Sequence, residues 1–200
     1  MLVLASQSAT RKTLLNNAGI RFLAQAAPID ERRVEAGMLD SGADSAAVAL
    51  GLARAKAEAV ARIRPDAWVI GADQTAALDG QILHKPADGD EARAQLLRLR
   101  GRTHRLDAAV VLVQGGVVRF ETVETARLTM HEYSEAELDA VLGLEGEAIL
   151  GSVGAYRLEG PSIRLFSSVE GDYFTILGLP LLPLLSALRQ LAPHLLELRP

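Results

Sequence analysis

The hydrophobic positions of the chain form two kinds of pattern, compact apolar runs and longer stretches with helical spacing. Compact apolar runs predict buried or half-buried strands. They occupy residues 2–5, 22–27, 68–72, 75–78, 81–83, 106–113, 117–128 and 163–169. Asp79-Gly80 and Gly115-Gly116 separate two pairs of these runs, and such dipeptides are typical of tight hairpin turns.

Helical spacing follows residues that commonly cap helices. The predicted helices begin after Ser8, at Ser45, after Asp88 and after Ser134, and they end at Gly19, about Arg64, Gly101 and about Leu142. The leucine-rich segment 181–196 predicts a terminal helix broken at Pro193. Residues 28–44 show no clean period and are predicted to be a loop. Helices and strands alternate early and paired strands dominate the middle, so we expect one mixed α/β (α+β) domain over residues 1–200.

Composition and charge narrow the classes of function. The net charge is −4, which argues against binding of nucleic-acid polymers but permits a small anionic ligand. The chain has no cysteine, which excludes disulfides, thiolate metal sites and a cysteine nucleophile. The start of the chain lacks a basic segment, and the apolar stretch 173–188 has 16 residues and two prolines, fewer than the roughly 20 residues of a membrane span. We therefore expect a soluble, cytoplasmic protein without membrane partners.

The first candidate for chemistry is the segment 5–12, where a strand gives way to a helix. The beginning of a helix offers unpaired N–H groups and the positive end of the helix dipole, and both favour phosphate. Ser8 can add a hydroxyl group, and Arg11 can add a two-pronged guanidinium contact. An ordinary capped helix with basic surface residues accounts for the same pattern.

Three further residues form the second candidate. Lys56 lies within the apolar stripe of its predicted helix, so its ammonium group must either meet an anion or reach out to solvent. Asp73 follows the apolar run 68–72, and we expect it at a strand end, where it could hold a divalent cation or accept a proton from water. The hairpin is predicted to return Lys85 towards the level of Asp73. A turn aspartate and a surface lysine remain the alternatives.

Taken together in order, these segments resemble the Maf family of nucleoside triphosphate pyrophosphatases over nearly the whole chain. The resemblance rests on Leu4-Ala5-Ser6-Gln7-Ser8, Arg11, Leu14-Leu15, Leu52-Ala53, Lys56-Ala57, Gly71-Ala72-Asp73-Gln74, Lys85-Pro86, Leu99, Gly101, His104, Ser134-Glu135-Ala136-Glu137-Leu138, Gly154-Ala155-Tyr156, Glu159-Gly160 and Gly178-Leu179-Pro180-Leu181.

The resemblance implies a fold like that of inosine-triphosphate pyrophosphatases, with two lobes around a cleft, usually in a homodimer. It implies hydrolysis of a nucleoside triphosphate to the monophosphate and pyrophosphate with a divalent metal, usually Mg²⁺. Asp73 falls on the family's catalytic proton acceptor. The family's phosphate positions fall on Ser8, Arg11, Lys56 and Lys85, and its metal positions on Glu31 and Asp73.

Three positions bear on which base is recognised. The dTTP/UTP branch of the family typically has Thr after the catalytic Asp and Gln before the later glycine, whereas this chain has Gln74 and Glu159. Both resemble the branch that acts on 7-methyl-GTP. Thr10 falls on a third specificity position, where that branch often has an aromatic residue. Hydrolysis of dTTP or UTP, and a nucleotide-binding role in septum formation without catalysis, remain the alternatives.

Two positions depart from the family pattern. Ala9 stands where proline is common, a change that affects rigidity more than chemistry. Arg100 stands where serine commonly precedes the glycine, and it raises the question of whether the local geometry is altered.

Overall fold

A mixed sheet with flanking helices organises the chain, and the predicted mixed α/β class is confirmed. The computed structural model describes residues 1–197. Its elements in chain order are β1 Leu2–Leu4, α1 Ala9–Asn17, β2 Leu23–Ala24, α2 Glu31–Asp40, α3 Ser45–Ile63, β3 Trp68–Leu78, β4 Gln81–Leu83, α4 Gly89–Leu99, β5 Thr103–Gln114, β6 Val117–Met130, α5 Glu135–Glu145, β7 Phe166–Glu170, α6 Tyr173–Ile176 and α7 Leu181–Leu191. Short 3₁₀ turns occupy Gly146–Gly151, Pro161–Leu165 and Pro193–Leu195.

The strands form one sheet in the order β2-β1-β3-β5-β6-β7, with β4 paired to β3. β1 pairs in parallel with both β2 and β3, whereas β4 and β7 run antiparallel to their partners. Within the strand Leu2 and Leu4 point to one face and Val3 to the other, as the pleat requires. This alternation lets a short, wholly buried strand support apolar packing on both of its faces.

The chain divides into two compact units. The first contains Met1–Gln74, Asp107–Thr125 and the chain from Asp172 onward, and the second contains Thr75–Leu106 and Ala126–Gly171. Strands β3, β5 and β6 contribute residues to both units. The expectation of one domain over residues 1–200 stays a prediction.

Helices cover both faces of the sheet in the first unit. One core joins the leucines of α1 and α7 to Leu4 and Ile70 of the sheet. The other joins the small residues of α3 to Val3 and Val69. Gly71 explains how closely α3 approaches, because a Cβ atom there would lie 2.0 Å from the carbonyl oxygen of Ala53. Small residues at this contact therefore set the separation between α3 and β3.

The segment 28–44, predicted to be a loop, contains helix α2, so that prediction is wrong. Asp30 caps the helix by accepting a hydrogen bond from the N–H of Arg33. None of the residues of α2, all of which the structure describes, is buried. Met38 nonetheless packs on α3, where its Sδ atom occupies the space that a Cβ atom at Gly51 would need. Because no residue of α2 is buried, the helix has no continuous apolar stripe from which the sequence could have predicted it.

Strand β3 also differs from the expectation. The runs 68–72 and 75–78 were expected as separate strands with Asp73 at an end, but Trp68–Leu78 is one continuous strand and Asp73 lies within it. The polar pair Asp73-Gln74 does not interrupt the strand because both side chains have protein partners. The hairpin prediction is confirmed: β4 follows Asp79 and Gly80, whose φ angles are 50° and 82°.

The remaining elements agree with the sequence to within a few residues. The predicted N-caps Ser8, Asp88 and Ser134 each accept a hydrogen bond from a backbone N–H of the first helical turn. The run 22–27 yields only the short β2, and the run 163–169 begins as a 3₁₀ turn before β7. Across residues 1–197, none of the helices combines the length and the apolar character that crossing a membrane requires.

A buried aromatic group in the second unit contains His104, Tyr156 and Phe166. His104 Nε2 lies 2.6 Å from the hydroxyl of Tyr156, whose ring meets that of Phe166 edge-on at 4.8 Å. The imidazole Nδ1 is buried without a hydrogen-bond partner among the described residues. Burial lowers the pKa of His104 to about 4. The folded protein therefore holds this imidazole neutral in a pH range where the unfolded chain protonates it.

This arrangement predicts a specific loss of stability in acid. Because the folded pKa lies below the unfolded value, the stabilisation is complete above about pH 6.5 and is lost as the pH falls towards 4. Between about pH 7 and pH 4, we expect the wild type to lose about 3 kcal/mol more unfolding free energy than His104→Gln. Urea unfolding at both pH values measures this difference. The control His131→Gln changes an exposed histidine, and its unfolding free energy should depend on pH as that of the wild type does. If the unfolding free energy of His104→Gln also kept the wild-type pH dependence, His104 would not be the group responsible.

Candidate active site

Lys56 is the centre of a buried charge cluster in the first unit. Its Nζ lies 2.5 Å from Oδ1 of Asp73 and 2.7 Å from Oε2 of Glu31. Only 8% of the Lys56 side chain and 11% of the Asp73 side chain are exposed, whereas Glu31 is 54% exposed. The sequence left two alternatives for Lys56, contact with an anion or extension into solvent. The structure shows contact with anions.

The close packing of α3 on β3 produces this cluster. Lys56 precedes Ala57, whose Cβ faces Gly71, and Asp73 lies two residues along the same strand from that glycine. Alternate residues of a strand point to the same face, so Asp73 and Gly71 both face α3. Glu31 reaches the same ammonium group from the first turn of α2. Three elements thus deliver one cation and two carboxylates to one place.

Arg11 is a second buried cation in the first unit. Its Nε donates to the carbonyl oxygen of Gly178 at 2.7 Å, and its Nη1 donates to Oγ of Ser6 at 3.3 Å. Burial lowers the pKa of Arg11, and the carboxylates of Asp73 and Glu31 act in the opposite direction. A guanidinium group remains charged under such conditions. Arg11 therefore adds a fixed positive charge that interacts electrostatically with the carboxylates of Asp73 and Glu31.

Ser8 and Ser6 hold the beginning of α1. Ser8 Oγ accepts from the N–H of Arg11 at 3.3 Å, so Ser8 serves as the helix cap. Ser6 Oγ accepts both from the N–H of Ser8 and from Arg11. Ser6 belongs to the candidate segment 5–12, but sequence reasoning gave it no role of its own. Thr10, the proposed specificity position, is half-buried in the first turn of α1.

Gln74 binds the backbone at the C-terminal end of α6. Its Nε2 donates to the carbonyl oxygens of Thr175 and Ile176, both at 3.0 Å. Its Oε1 faces Gly178, whose carbonyl oxygen also binds Arg11. Gln74 and Arg11 together therefore fix the turn between α6 and α7.

The other predicted site residues lie in the second unit. Lys85 is exposed and comes two residues after β4, whose Leu83 pairs with Ala76. Glu159 is exposed in the segment before the 3₁₀ turn Pro161–Leu165. The structure thus brings Arg11, Glu31, Lys56 and Asp73 together within the first unit. The expectation that Lys85 and Glu159 join them stays a prediction.

Comparison with protein families gives one match over most of the chain. The model of the family described as Maf-like protein matches residues 1–191. The chain belongs to the Maf family. Among similar proteins is the 7-methyl-GTP pyrophosphatase of Rhizobium meliloti (strain 1021), which is 53% identical over 191 residues and 96% of each chain.

Two other relatives have comparable coverage. The nucleoside triphosphate pyrophosphatase of Bradyrhizobium diazoefficiens is 53% identical over 189 residues, or 94% of this chain and 92% of the relative. The 7-methyl-GTP pyrophosphatase of Brucella abortus biovar 1 is 50% identical over 189 residues, or 94% of this chain and 95% of the relative. The resemblance to the Maf family inferred from the motifs is therefore confirmed.

The two departures from the Maf pattern fit the structure. Ala9 is exposed at the first position of α1, where alanine fits without steric conflict. Arg100 is the C-cap of α4, and its Nη1 donates to the carbonyl oxygen of Tyr133 at 3.4 Å. Tyr133 in turn donates its hydroxyl to the carbonyl oxygen of Leu96. Arg100 is thus accommodated by a local hydrogen bond.

The donor set of this Maf site suits Mg²⁺. Glu31 and Asp73 both place a carboxylate oxygen at ion-pairing distance from one nitrogen, so the two carboxylates are close neighbours. Within residues 1–197, no group of three or more His, Cys, Asp or Glu side chains could enclose a metal ion. Mg²⁺ is commonly bound by one or two carboxylates with water and substrate phosphates completing the shell, rather than by an all-protein cage.

Proposed function

We propose that this Maf protein hydrolyses nucleoside triphosphates to the nucleoside monophosphate and pyrophosphate. The observation that carries the proposal is the charge cluster in which the buried cations Lys56 and Arg11 accompany the buried carboxylate of Asp73 and the exposed carboxylate of Glu31. Fixed cations suit a polyanionic substrate, and an adjacent carboxylate suits activation of water. Relatives at 50–53% identity named as pyrophosphatases support the same reaction.

In the proposed reaction Asp73 acts as the general base. A water oxygen bonds to the α-phosphorus, and the bond from the α-phosphorus to the oxygen that bridges it to the β-phosphorus breaks. Asp73 takes the proton from the water, and pyrophosphate leaves with the electrons of the broken bond. The ammonium group of Lys56, 2.5 Å from Asp73, orients the carboxylate and contributes positive charge beside the transferring phosphoryl group.

The other cations bind the substrate in this proposal. Arg11 supplies a guanidinium group held by Gly178 and Ser6, so it is fixed before substrate arrives. Ser8 and Lys85 are proposed phosphate contacts on the strength of the family resemblance. When bound, Mg²⁺ would be held by Glu31 and Asp73 and would neutralise negative charge on the phosphate oxygens.

A panel of triphosphates tests the proposed function. The wild type is incubated with Mg²⁺ and with ATP, GTP, dTTP, UTP or 7-methyl-GTP, and released pyrophosphate is measured. We expect pyrophosphate release from at least one member of the panel, strongest with 7-methyl-GTP. Nucleotide binding without pyrophosphate release from any member would contradict the enzymatic function.

For the base, we propose 7-methyl-GTP or a related modified nucleotide. Gln74 and Glu159 both differ from the dTTP/UTP pattern, and relatives with 50–53% identity are named 7-methyl-GTP pyrophosphatases. The Glu159 carboxylate is exposed and available to accept hydrogen bonds from the N1–H and amino group of a guanine edge. Thymine and uracil cannot supply that pair of donors.

This proposal predicts a selective effect of Glu159→Gln. One well-placed polar contact contributes about 1–3 kcal/mol, so 7-methyl-GTP should exceed dTTP and UTP by roughly tenfold to a hundredfold in kcat/KM. Glu159→Gln should narrow that gap, because an amide nitrogen cannot accept a hydrogen bond. Subsaturating initial rates on both substrates measure the ratio. The control Glu147→Gln changes another exposed glutamate of the second unit and should leave the ratio of kcat/KM values unchanged. A wild type that hydrolyses dTTP and UTP faster than 7-methyl-GTP would contradict the role of Glu159.

We also propose a homodimer in the cytoplasm, where nucleoside triphosphates are made and used. The family resemblance supports the dimer, which light scattering of the purified protein tests directly. Cell fractionation tests the location.

A further inference from the structure

Glu145 is a buried acid in the second unit that the proposed reaction does not use. It is the last residue of α5, and its side chain is 0% exposed. A carboxylate without water must find compensating partners or cost several kcal/mol. Its surroundings therefore indicate what the residue holds in place.

Within the described residues 1–197, the hydrogen-bond and ion-pair partners of this carboxylate are Arg157 and Ser162, which belong to one short segment. Arg157 directs Nε and Nη2 at Oε2, both at 2.9 Å. Ser162 donates to Oε1 with its backbone N–H at 2.9 Å and with its hydroxyl at 2.7 Å. Burial alone would raise the pKa of Glu145, but the hydrogen bonds from Ser162 and Arg157 outweigh it and lower the pKa. The acid therefore stays ionised and binds both residues strongly.

Glu159 lies between these two partners. Arg157 precedes it by two residues and Ser162 follows it by three, so the Glu145 carboxylate ties down the chain on both sides of Glu159. A Cβ atom at Gly160 would lie 2.6 Å from Oε1 of Glu145, which shows how closely the segment is drawn onto the acid. Glu159 itself is exposed at the outer side of this tied segment.

A second anchor fixes the same segment on its N-terminal side. Tyr156 is buried, accepts or donates a hydrogen bond at His104 Nε2, and packs edge-on against Phe166. The chain therefore leaves a rigid aromatic contact at residue 156 and meets the Glu145 carboxylate at residue 157. Little backbone freedom remains around Glu159.

We propose that Glu145 is a positioning residue for base selection: by binding Arg157 and Ser162 it holds Glu159 in the orientation that recognises the base. This inference rests on the proposed function, because it requires that Glu159 contact the nucleotide. Glu145 itself does not touch the substrate. Its effect should therefore appear as a change in base preference that depends on Glu159.

A double-mutant cycle in binding tests the proposal. The variants are Glu145→Gln, Glu159→Gln and the pair, with Glu147→Gln as the matched control for the change of charge. Calorimetry gives the Kd of each for the non-hydrolysable α,β-methylene analogues of 7-methyl-GTP and dTTP. We expect Glu145→Gln to reduce the preference for the 7-methyl-GTP analogue by about fivefold and to have no further effect in the Glu159→Gln background. The Glu147→Gln control should keep the wild-type preference.

A milder change guards against misfolding of Glu145→Gln. Arg157→Lys keeps the charge but not the two-nitrogen contact to the carboxylate. It should reduce the preference in the same direction, with a thermal unfolding midpoint close to that of the wild type. An unchanged preference in folded Glu145→Gln or Arg157→Lys would overturn the proposal, and so would an equal loss in the presence and absence of Glu159. Absence of hydrolysis by the wild type would instead overturn the proposed function, because the binding ratios do not depend on turnover.

Discussion

Asp73→Asn is expected to lower kcat by about 100-fold or more, as for loss of a general base. The asparagine side chain has nearly the same shape, and its Oδ1 can still accept a hydrogen bond from Lys56 Nζ, which lies 2.5 Å from the native carboxylate. Glu31 remains beside the ammonium group to balance its charge. The amide cannot take a proton from water, so catalysis should be lost while the fold is kept.

The measurement combines initial rates at saturating 7-methyl-GTP with thermal unfolding. Asp66→Asn serves as the control, because Asp66 is exposed just before β3 and carries the same change of charge. It should retain wild-type turnover. An Asp73→Asn protein with an unchanged melting temperature and near-normal kcat would show that another group accepts the proton.

Lys56→Met should have the second large effect, on both activity and stability. Methionine keeps the apolar stem but removes the charge that lies between Asp73 and Glu31. We expect turnover to fall by about 100-fold, because the fixed positive charge beside the phosphoryl group is lost. We also expect a loss of about 3 kcal/mol of unfolding free energy, because a buried carboxylate is left without its partner.

Two further variants separate these effects. The double variant Lys56→Met/Asp73→Asn has no buried carboxylate at position 73. Its unfolding free energy should therefore be closer to that of the wild type than that of Lys56→Met is, while its activity should stay low. Lys12→Met, at the half-buried lysine that follows Arg11 on α1, should affect neither quantity strongly. Full activity of Lys56→Met would mean that its ion pairs serve packing alone.

The position of Lys56 shows what the sequence could predict about the site. Because Lys56 lies within an apolar helical stripe, its ammonium group must either contact an anion or extend into solvent. The helical period alone predicts this pair of alternatives. The choice depended on how near α3 approaches β3. The contact between Gly71 and Ala53 decides that separation, and it belongs to tertiary packing between residues distant in sequence.

Asp73 and Glu31 show why other parts of the site were harder to predict. Asp73 was expected at a strand end because it directly follows the apolar run 68–72. An acid inside a buried strand needs a compensating partner, and the Lys56 contact that compensates it cannot be read from the local sequence. Glu31 had no local signal of function, since the exposed helix α2 leaves little apolar period. Only the family resemblance pointed to it.

Glu145 is in helical register with the buried residues Leu138 and Val141 of α5, but the helix was predicted to end at about Leu142, so sequence reasoning missed it. Its partners lie 12 and 17 residues away, Arg157 in irregular chain and Ser162 in the 3₁₀ turn Pro161–Leu165, so no repeating period links them to Glu145. Helical register alone does not tell which groups meet the Glu145 carboxylate. The fold class and most elements therefore follow from local patterns, whereas the buried charge contacts depend on the assembled tertiary structure.

The position of bond cleavage tests the central claim most directly. Phosphorus NMR of 7-methyl-GTP incubated with the wild type and Mg²⁺ distinguishes the two ways in which the triphosphate can be cut. The account predicts that the three substrate resonances are replaced by those of a nucleoside monophosphate and of pyrophosphate, with no diphosphate intermediate, and that Asp73→Asn suppresses this change. Formation of the nucleoside diphosphate and orthophosphate would contradict it.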